Sequence, residues 1–459
     1  MTDAAVNDLA ALDRAHALHP WTHFESFERD GPLVISRGEG CYLWDAEGRR
    51  YLDAVGGLWC TQIGLGRREM AEAIAAQAER LAFSNTFVDL TNDPSALLAA
   101  KLAELSPGLS RVHFTTGGST AIDSAYRTAQ FVQRARGFPD RTEVIARTHS
   151  YHGSTYAAMS IGLRDGDRVP EFTYKTDGIH HVSGPTLYRR PEGMSEAAYC
   201  DALVQEFEDK IAEVGPERIA AFFAEPVQAS GGVLIPPEGY LRRMWEVCRR
   251  HGILFVADEV VTGFGRLGAW FASRDVFGIE PDIICCAKGL SSGYQPIGAM
   301  IFCEDLWRDM SGDRWFSNGY TYAGHPVACA AALKNIEIME REDLCAHAGR
   351  MGEVFQERLA TLCDLPLVGN IRGIGLIGCV ENVADKATKA LLPDEIDVGK
   401  RISDAAERLG LMVRPMGHLN VMSPPLVITE AQIDFVVETL GAAIRTVADD
   451  LTREGVRLS

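Results

Sequence analysis

Four short segments carry side chains able to do chemistry. Lys288 ends the apolar run DIICCAKG. A lysine at such a strand end has little water around its amine, and desolvation lowers its pKa until the neutral nucleophile is accessible. Asp258 ends a second apolar run, HGILFVADEV. Ligands of open α/β sheets gather at such ends, where a carboxylate can hold a pyridine nitrogen protonated and turn the ring into an electron sink. Thr115-Thr116-Gly117-Gly118-Ser119-Thr120 stands between a strand and the helical pattern AIDSAYRTAQFV. That junction aims backbone N–H groups and the positive end of a helix at an anion such as phosphate. Tyr151, in Tyr151-His152-Gly153-Ser154-Thr155 after the strand TEVIART, is placed to stack on a planar group. Each segment also has an ordinary reading: a lysine snorkelling past Gly289, an acid capping a loop, a plain N-cap, a surface aromatic.

The elements that must position these residues are legible as short apolar runs bounded by turn residues. Val112 to Thr115, Val144 to Ala146, Ile219 to Ala224, Ile253 to Ala257, Ile283 to Ala287 and Ile297 to Phe302 read as fully buried strands. Amphipathic stretches lie between most of them. Tyr240 to Arg250 is a helix with Leu241, Met244, Trp245 and Cys248 on one face and Gly252 as its stop. The alternation from about residue 71 to 330 argues for a large α/β domain with a mainly parallel sheet. Before it, residues 31–58 hold strand signals around a DAEG turn. After it come a long helical stretch, the glycine-broken IRGIGLIG at 371–378 and further α+β alternation. The expected division is 1–70 as an N-terminal segment and part of a smaller domain, 71–330 as the large domain, and 331–459 as the C-terminal part of the smaller one.

Composition narrows the function classes. The 459 residues are 46% hydrophobic and 24% charged, a globular balance with room for a sizeable core. A net charge of -18 argues against a surface that tracks nucleic-acid phosphates. Met1 to Ala17 is acidic without an uninterrupted apolar stretch, and no apolar run is long enough to span a bilayer, so the expected location is cytoplasmic. Eleven cysteines, an odd number without paired spacing, read as reduced and mostly buried thiols. No C-x-x-C or H-E-x-x-H occurs, and no metal is expected. Two segments match G-x-G-x-x-G by letter, Gly263/Gly265/Gly268 and Gly373/Gly375/Gly378. Neither has the strand before it, the helix opening on it and the acid about 20 residues later that a dinucleotide site needs, so both are read as turn glycines.

Taken in order, the pieces resemble the class III aminotransferases, pyridoxal-phosphate enzymes of fold type I, almost end to end. The resemblance is carried by LFVADEVVTGFGRLGAWFA (254–272), PDIICCAKGLSSGYQPIGAM (281–300), YTYAGHPVACAAAL (320–333), AEPVQASGGVLIPP (224–237) and SYHGST (150–155). Within the family the likeness is to the ω-amino acid:pyruvate, or ω-transaminase, subgroup, through AHALHPWTHF (15–24), RGEGCYLWDAEGRRYLD (37–53), GGLWCTQIGLGR (56–67) and SNTF (84–87). It implies pyridoxal 5'-phosphate held on Lys288 as a Schiff base, with Lys288 also shuttling the proton during transfer. By the same likeness Asp258 pairs with the ring nitrogen, Gly118 and Ser119 bind the phosphate with Thr321 of a neighbouring subunit, Tyr151 stacks on one ring face and Val260 covers the other. Glu225 lies near the ring. Arg414 meets a substrate carboxylate and swings aside for donors without one, a task suited to the guanidinium fork. Trp59 and Phe87 resemble pocket walls. The shared site implies a homodimer or a dimer of dimers.

Two positions depart from the pattern. Many relatives have S-G-S-E where this chain has Gly117-Gly118-Ser119-Thr120, and many carry Gln at the position of Val261. The implied activity is transfer of an amino group from an ω-amino acid or amine to a keto acid, with pyruvate as the expected acceptor, in a ping-pong cycle. An aminomutase, racemase or decarboxylase on the same fold, an NAD-dependent oxidoreductase resting on the glycine matches, and a catalytically silent binding protein are the competing readings. The particular amine, the stereochemistry and the pathway are not written in the motifs.

Overall fold

The computed structural model describes residues 3–458. Met1, Thr2 and Ser459, which bound the expected end segments, lie outside the described residues. Seven strands form the central sheet in the spatial order Arg111–Thr115, Gly298–Phe302, Ile283–Cys286, Leu254–Asp258, Ile219–Ala224, Glu143–Arg147, Ile179–Val182. Gly298–Phe302 runs antiparallel to both neighbours, and every other pairing is parallel. Ile219–Ala224 and Leu254–Asp258 are buried at every residue, which is why they read as unbroken apolar runs.

This direction pattern gathers the chemistry at one edge of the sheet. The parallel strands finish together, so the residues after their carboxyl ends, Tyr151, Glu225, Asp258 and Lys288, share that edge. Two successive antiparallel steps restore the direction, and Thr115, opposite Gly298, ends there too.

The strand expectations hold to within one residue, with Ile253, Ala287 and Ile297 falling just outside. Arg111–Thr115 is not fully buried as expected: it lies at the sheet's edge, and only Phe114 and Thr115 are covered. Ile179–Val182 was not anticipated, because His180 and His181 break its apolar pattern and an edge strand needs no continuous one.

Helices cover both faces. Gly118–Ala135 lays Ala121, Ile122, Ala125, Ala129 and Val132 on Val144, Ala146, Phe223, Val256 and Cys285. On the other face Phe207 stacks 4.6 Å from Phe222, which stands 5.5 Å from Phe255. Tyr240–His251 buries Leu241, Met244 and Cys248 there, and Gly252 ends it in the left-handed region at φ 67°. Only a residue without Cβ adopts that conformation cheaply.

Both chain ends meet in a second sheet. Ile35–Glu39, Tyr42–Asp45 and Arg50–Asp53 form a meander around the DAEG turn, and Leu411–Met412 pairs in parallel with Arg50–Asp53. A third sheet joins the hairpin Val368–Ile374/Ile377–Asn382 to Leu419–Met422 and Arg414–Met416. Gly373 and Gly378 face each other across that hairpin, so the second glycine match is a β-turn and its flanks. Gly265 and Gly268, at φ 87° and 86°, turn the first match, and no helix opens on it. Among the described residues no helix is long and apolar enough to cross a membrane. All eleven cysteines are unpaired and most are buried.

Candidate active site

Lys288 leaves the strand Ile283–Cys286 on a single 3-10 turn, Lys288–Leu290, with its own φ at 43°. Positive φ in a side-chain-bearing residue is costly and persists only where the surroundings enforce it. Its amine stands 5.4 Å from the centre of the Trp59 ring, and Trp59 is itself in a left-handed conformation at φ 62°. Burial, first of all, pulls the Lys288 amine below its ordinary value of 10.5, while Asp258, Cys60 and Glu225 oppose that shift and Arg414 adds to it. Burial of an amine at a strand end moves it toward the neutral form that a nucleophile needs.

Asp258 is buried, with both carboxylate oxygens engaged. Oδ1 accepts the N–H of Val260 at 3.1 Å, and Oδ2 lies 2.7 Å from His152 Nδ1. His152 Nε2 is buried without a partner among the described residues. Glu225 follows the strand Ile219–Ala224 and accepts the N–H of Tyr151 at 3.1 Å. Burial pushes its carboxyl up to about 7, with His152 opposing and Asp258 reinforcing the rise. The Arg147 guanidinium, fully buried, donates to the Glu225 carbonyl.

The anion cradle is the junction Thr116-Gly117 ahead of the helix Gly118–Ala135. The first-turn N–H groups of Gly118 and Ser119 have no carbonyl inside the helix to bond. Glycine is needed beside them for close approach: a Cβ on Gly118 would stand 3.1 Å from both Val260 methyls, and one on Gly153 would stand 2.7 Å from Ser119 Cα. Ser119 Oγ accepts the N–H of Ser154 at 3.0 Å, which ties the cradle to the Tyr151 segment. Thr120, in place of the family's Glu, closes the turn itself: its hydroxyl accepts the Thr116 N–H at 3.2 Å and donates to the Gly117 carbonyl at 2.9 Å.

The sequence model of the class III aminotransferases matches residues 26–444. The chain belongs to the class III aminotransferases. It is 38% identical over 441 residues to a putrescine–pyruvate aminotransferase of Pseudomonas aeruginosa, covering 95% of each chain. Its fold matches a crystal structure of a thermostable (S)-enantioselective omega-transaminase from Thermomicrobium roseum with a TM-score of 0.94 and 42% identity, over 97% of this chain and 99% of that one. An omega-transaminase from Pseudomonas jessenii in complex with PMP matches with a TM-score of 0.93 and 38% identity, over 98% of this chain and 99% of that one. Transaminase activity on fold type I is therefore established at the level of the family, and with it dependence on pyridoxal 5'-phosphate.

The residues present fit that cofactor. An N–H cradle suits its phosphate, the doubly held Asp258 carboxylate its ring nitrogen, and the dehydrated Lys288 amine its carbonyl carbon. Val261, the second departure from the family pattern, is buried in an apolar cluster with Trp59, Val55 and Val227.

Arg414 begins the strand Arg414–Met416, 5.9 Å from the Trp59 ring, and its Nε is buried without a partner among the described residues. Trp59, Lys288 and Arg414 are thus brought together from three distant stretches of chain. Phe87 and Thr321 are not: both are exposed, and their surroundings join residue 87 to Gly319 and Thr86 to the Ala323 carbonyl. His152 was quoted in the motif SYHGST without a role; its position beside Tyr151, after a strand ending at the same sheet edge as Asp258, was the available signal. Arg147 carried no signal beyond being an arginine inside an apolar strand.

Proposed function

We propose that this aminotransferase moves the amino group of an ω-amino acid or simple amine to pyruvate in a ping-pong cycle. The observation that carries this reading is the row Lys288, Trp59, Arg414, in which a guanidinium whose Nε has no partner among the described residues stands one aromatic ring away from the Lys288 amine. Pyridoxal 5'-phosphate supplies a protonated pyridine ring that accepts electrons from the substrate carbon, and a carbonyl carbon that takes up the amine. Gly118 and Ser119 hold its phosphate, Asp258 its ring nitrogen, and Tyr151 and Val260 its two faces, with Glu225 buttressing Tyr151.

Lys288 Nζ is the base that removes the proton from the substrate carbon bearing nitrogen and returns it one position along. Trp59 walls the reacting carbon from water. Arg414 forks onto the carboxylate of pyruvate or of an ω-amino acid, and turns away when an alkylamine brings no carboxylate. The same pocket thereby serves both half-reactions.

The reading includes a homodimer, or a dimer of dimers, in which Thr321 and Phe87 complete the site of the neighbouring subunit. The surface around them supports it: Phe87 is 47%, Val88 85% and Tyr322 62% exposed, an apolar patch of the kind that marks an interface. A cytoplasmic location agrees with eleven unpaired cysteines.

The test is the visible spectrum of the cofactor-loaded protein, alone, with β-alanine or an alkylamine, and after pyruvate. The yellow band of lysine-bound cofactor is expected to disappear with the amine and return with pyruvate. A band indifferent to both additions overturns the substrates, and a cofactor band of lysine-bound type in Lys288→Ala overturns the role of Lys288. Turnover without any keto acid would favour the aminomutase or racemase reading.

A further inference from the structure

Against the Tyr151 ring stands a second guanidinium that the transamination cycle described above leaves without a task. Arg164 lies in the segment between the helix Tyr156–Ile161 and the strand Ile179–Val182, and the backbone there is clasped against the cofactor-facing segment. The His149 N–H donates to the Leu163 carbonyl at 2.8 Å, and the Leu163 N–H donates to the Ser150 carbonyl at 2.9 Å. Arg168 donates to the Ser160 carbonyl at 3.1 Å, and the Tyr174 hydroxyl bridges the Asp167 carbonyl and the Val169 N–H at 3.0 Å each. Arg164 is therefore placed by a built loop, with a side chain only 13% exposed.

Its guanidinium lies 4.8 Å from the centre of the Tyr151 ring and 5.7 Å from that of Trp21, at the rim of the site. Both of its contacts with Asp167 fall on the single oxygen Oδ1, from Nε at 2.9 Å and from one terminal nitrogen, so part of the fork is unspent. Burial first, and then the charge of Arg164, pulls the Arg414 guanidinium below its ordinary value while Tyr151 and Asp167 oppose, and its buried Nε has no partner among the described residues. Of the two guanidiniums, Arg164 holds the Asp167 carboxylate and Arg414 forms no ion pair among the described residues. Such a partly dehydrated excess of positive charge is favourable only when an anion completes it. Lys288 and Arg414 both stand against the Trp59 ring, and Arg164 stands against Tyr151 and the exposed Trp21.

We propose that Arg164 is a second carboxylate-recognition residue, which together with Arg414 reads the far carboxylate of ω-amino acid donors longer than β-alanine. The inference rests on the amine-to-pyruvate reading above and names the donor class that reading leaves open. It makes Arg164 a specificity residue, acting on the distal end of the donor and not on the reacting carbon.

The experiment compares wild type, Arg164→Gln and Arg164→Lys as cofactor-loaded protein. kcat/KM is measured with pyruvate and each of 6-aminohexanoate, β-alanine and 1-hexylamine, and hexanoate binding is followed by calorimetry. Loss of a charge-assisted contact is expected to lower kcat/KM for 6-aminohexanoate roughly ten-fold or more relative to 1-hexylamine, through KM, with a smaller relative loss for β-alanine. Hexanoate affinity should fall by a similar factor, and Arg164→Lys should recover part of both. Equal losses for all three donors, or unchanged hexanoate affinity in Arg164→Gln, overturn the proposal. If wild type uses none of the donors with pyruvate, the amine-to-pyruvate reading fails, while calorimetry still decides whether Arg164 holds a carboxylate.

Discussion

His152 Nδ1 stands 2.7 Å from Asp258 Oδ2, with both side chains buried. The imidazole thus engages one oxygen of the carboxylate proposed to hold the cofactor's ring nitrogen, while the other takes the Val260 N–H. A charge-assisted bond of this kind in a dehydrated place is stronger than a neutral one and fixes the plane of the carboxylate.

Replacing His152 with Ala removes that donor and leaves Asp258 held only by the Val260 N–H. A hydrogen bond to a charged group contributes about 1.5–3 kcal/mol, so kcat is expected to fall about 10- to 100-fold. Stopped-flow kinetics of the amine half-reaction read it directly. An unchanged half-reaction rate would mean that His152 only fills space.

Glu225 makes stability depend on pH in a defined window. Its folded value of about 7 lies above the ordinary 4.5, so between those values the folded chain holds a proton that the unfolded chain has lost. Stability from this carboxyl is fully present below about 4.5, falls as pH rises to about 7 and is flat above. His152, Asp258 and Arg147 face the same group: His152 and Arg147 oppose the rise of the Glu225 carboxyl and Asp258 adds to it. Glu225→Gln should flatten the decline, by on the order of 1–3 kcal/mol across the window, in urea unfolding of the cofactor-free protein at pH 5 and pH 8.

Gly153 has φ 137°, and an added Cβ would meet Ser119 Cα at 2.7 Å. Gly153→Ala therefore strains its own backbone and displaces the anion cradle. A stability loss of about 1–3 kcal/mol is expected, with weaker binding of pyridoxal 5'-phosphate in spectral titration of the cofactor-free protein. Affinity equal to wild type would show that the cradle gives way freely.

Arg414→Leu keeps an apolar side chain at this position and removes the fork that stands 5.9 Å from the Trp59 ring. The KM for pyruvate should rise about 10- to 100-fold, the effect of losing a charge-assisted pair, while the half-reaction with an alkylamine keeps most of its rate. Equal losses in both half-reactions would place Arg414 in the support of Trp59 and not in carboxylate binding.

The chemistry of single residues was legible in the chain because it depends on local context. An apolar run ending in Lys288 or Asp258 specifies a buried strand with a polar residue at its mouth, and Gly252 or Gly48 specifies a turn through φ alone. The residue patterns also showed that both G-x-G-x-x-G matches are turns, since the strand and helix they needed are local features. Edge strands were less legible: Ile179–Val182 and Arg111–Thr115 have one neighbour each, so their residues obey no strict pattern of burial.

What only the tertiary structure decided is which residues meet. His152 and Asp258 are separated by 106 positions, and their contact follows from two strands ending at one sheet edge. Trp59, Lys288 and Arg414 converge because the chain's two ends share a sheet beside the central one. Arg164 reads in sequence as one more arginine in a polar loop; the backbone clasp from Leu163 to His149 and Ser150 sets it against Tyr151 and within the field of Arg414. Periodicity and turn chemistry act over a few residues, whereas strand order, register and the pairing of distant side chains are set by the packing of the whole chain, which no short stretch of sequence encodes.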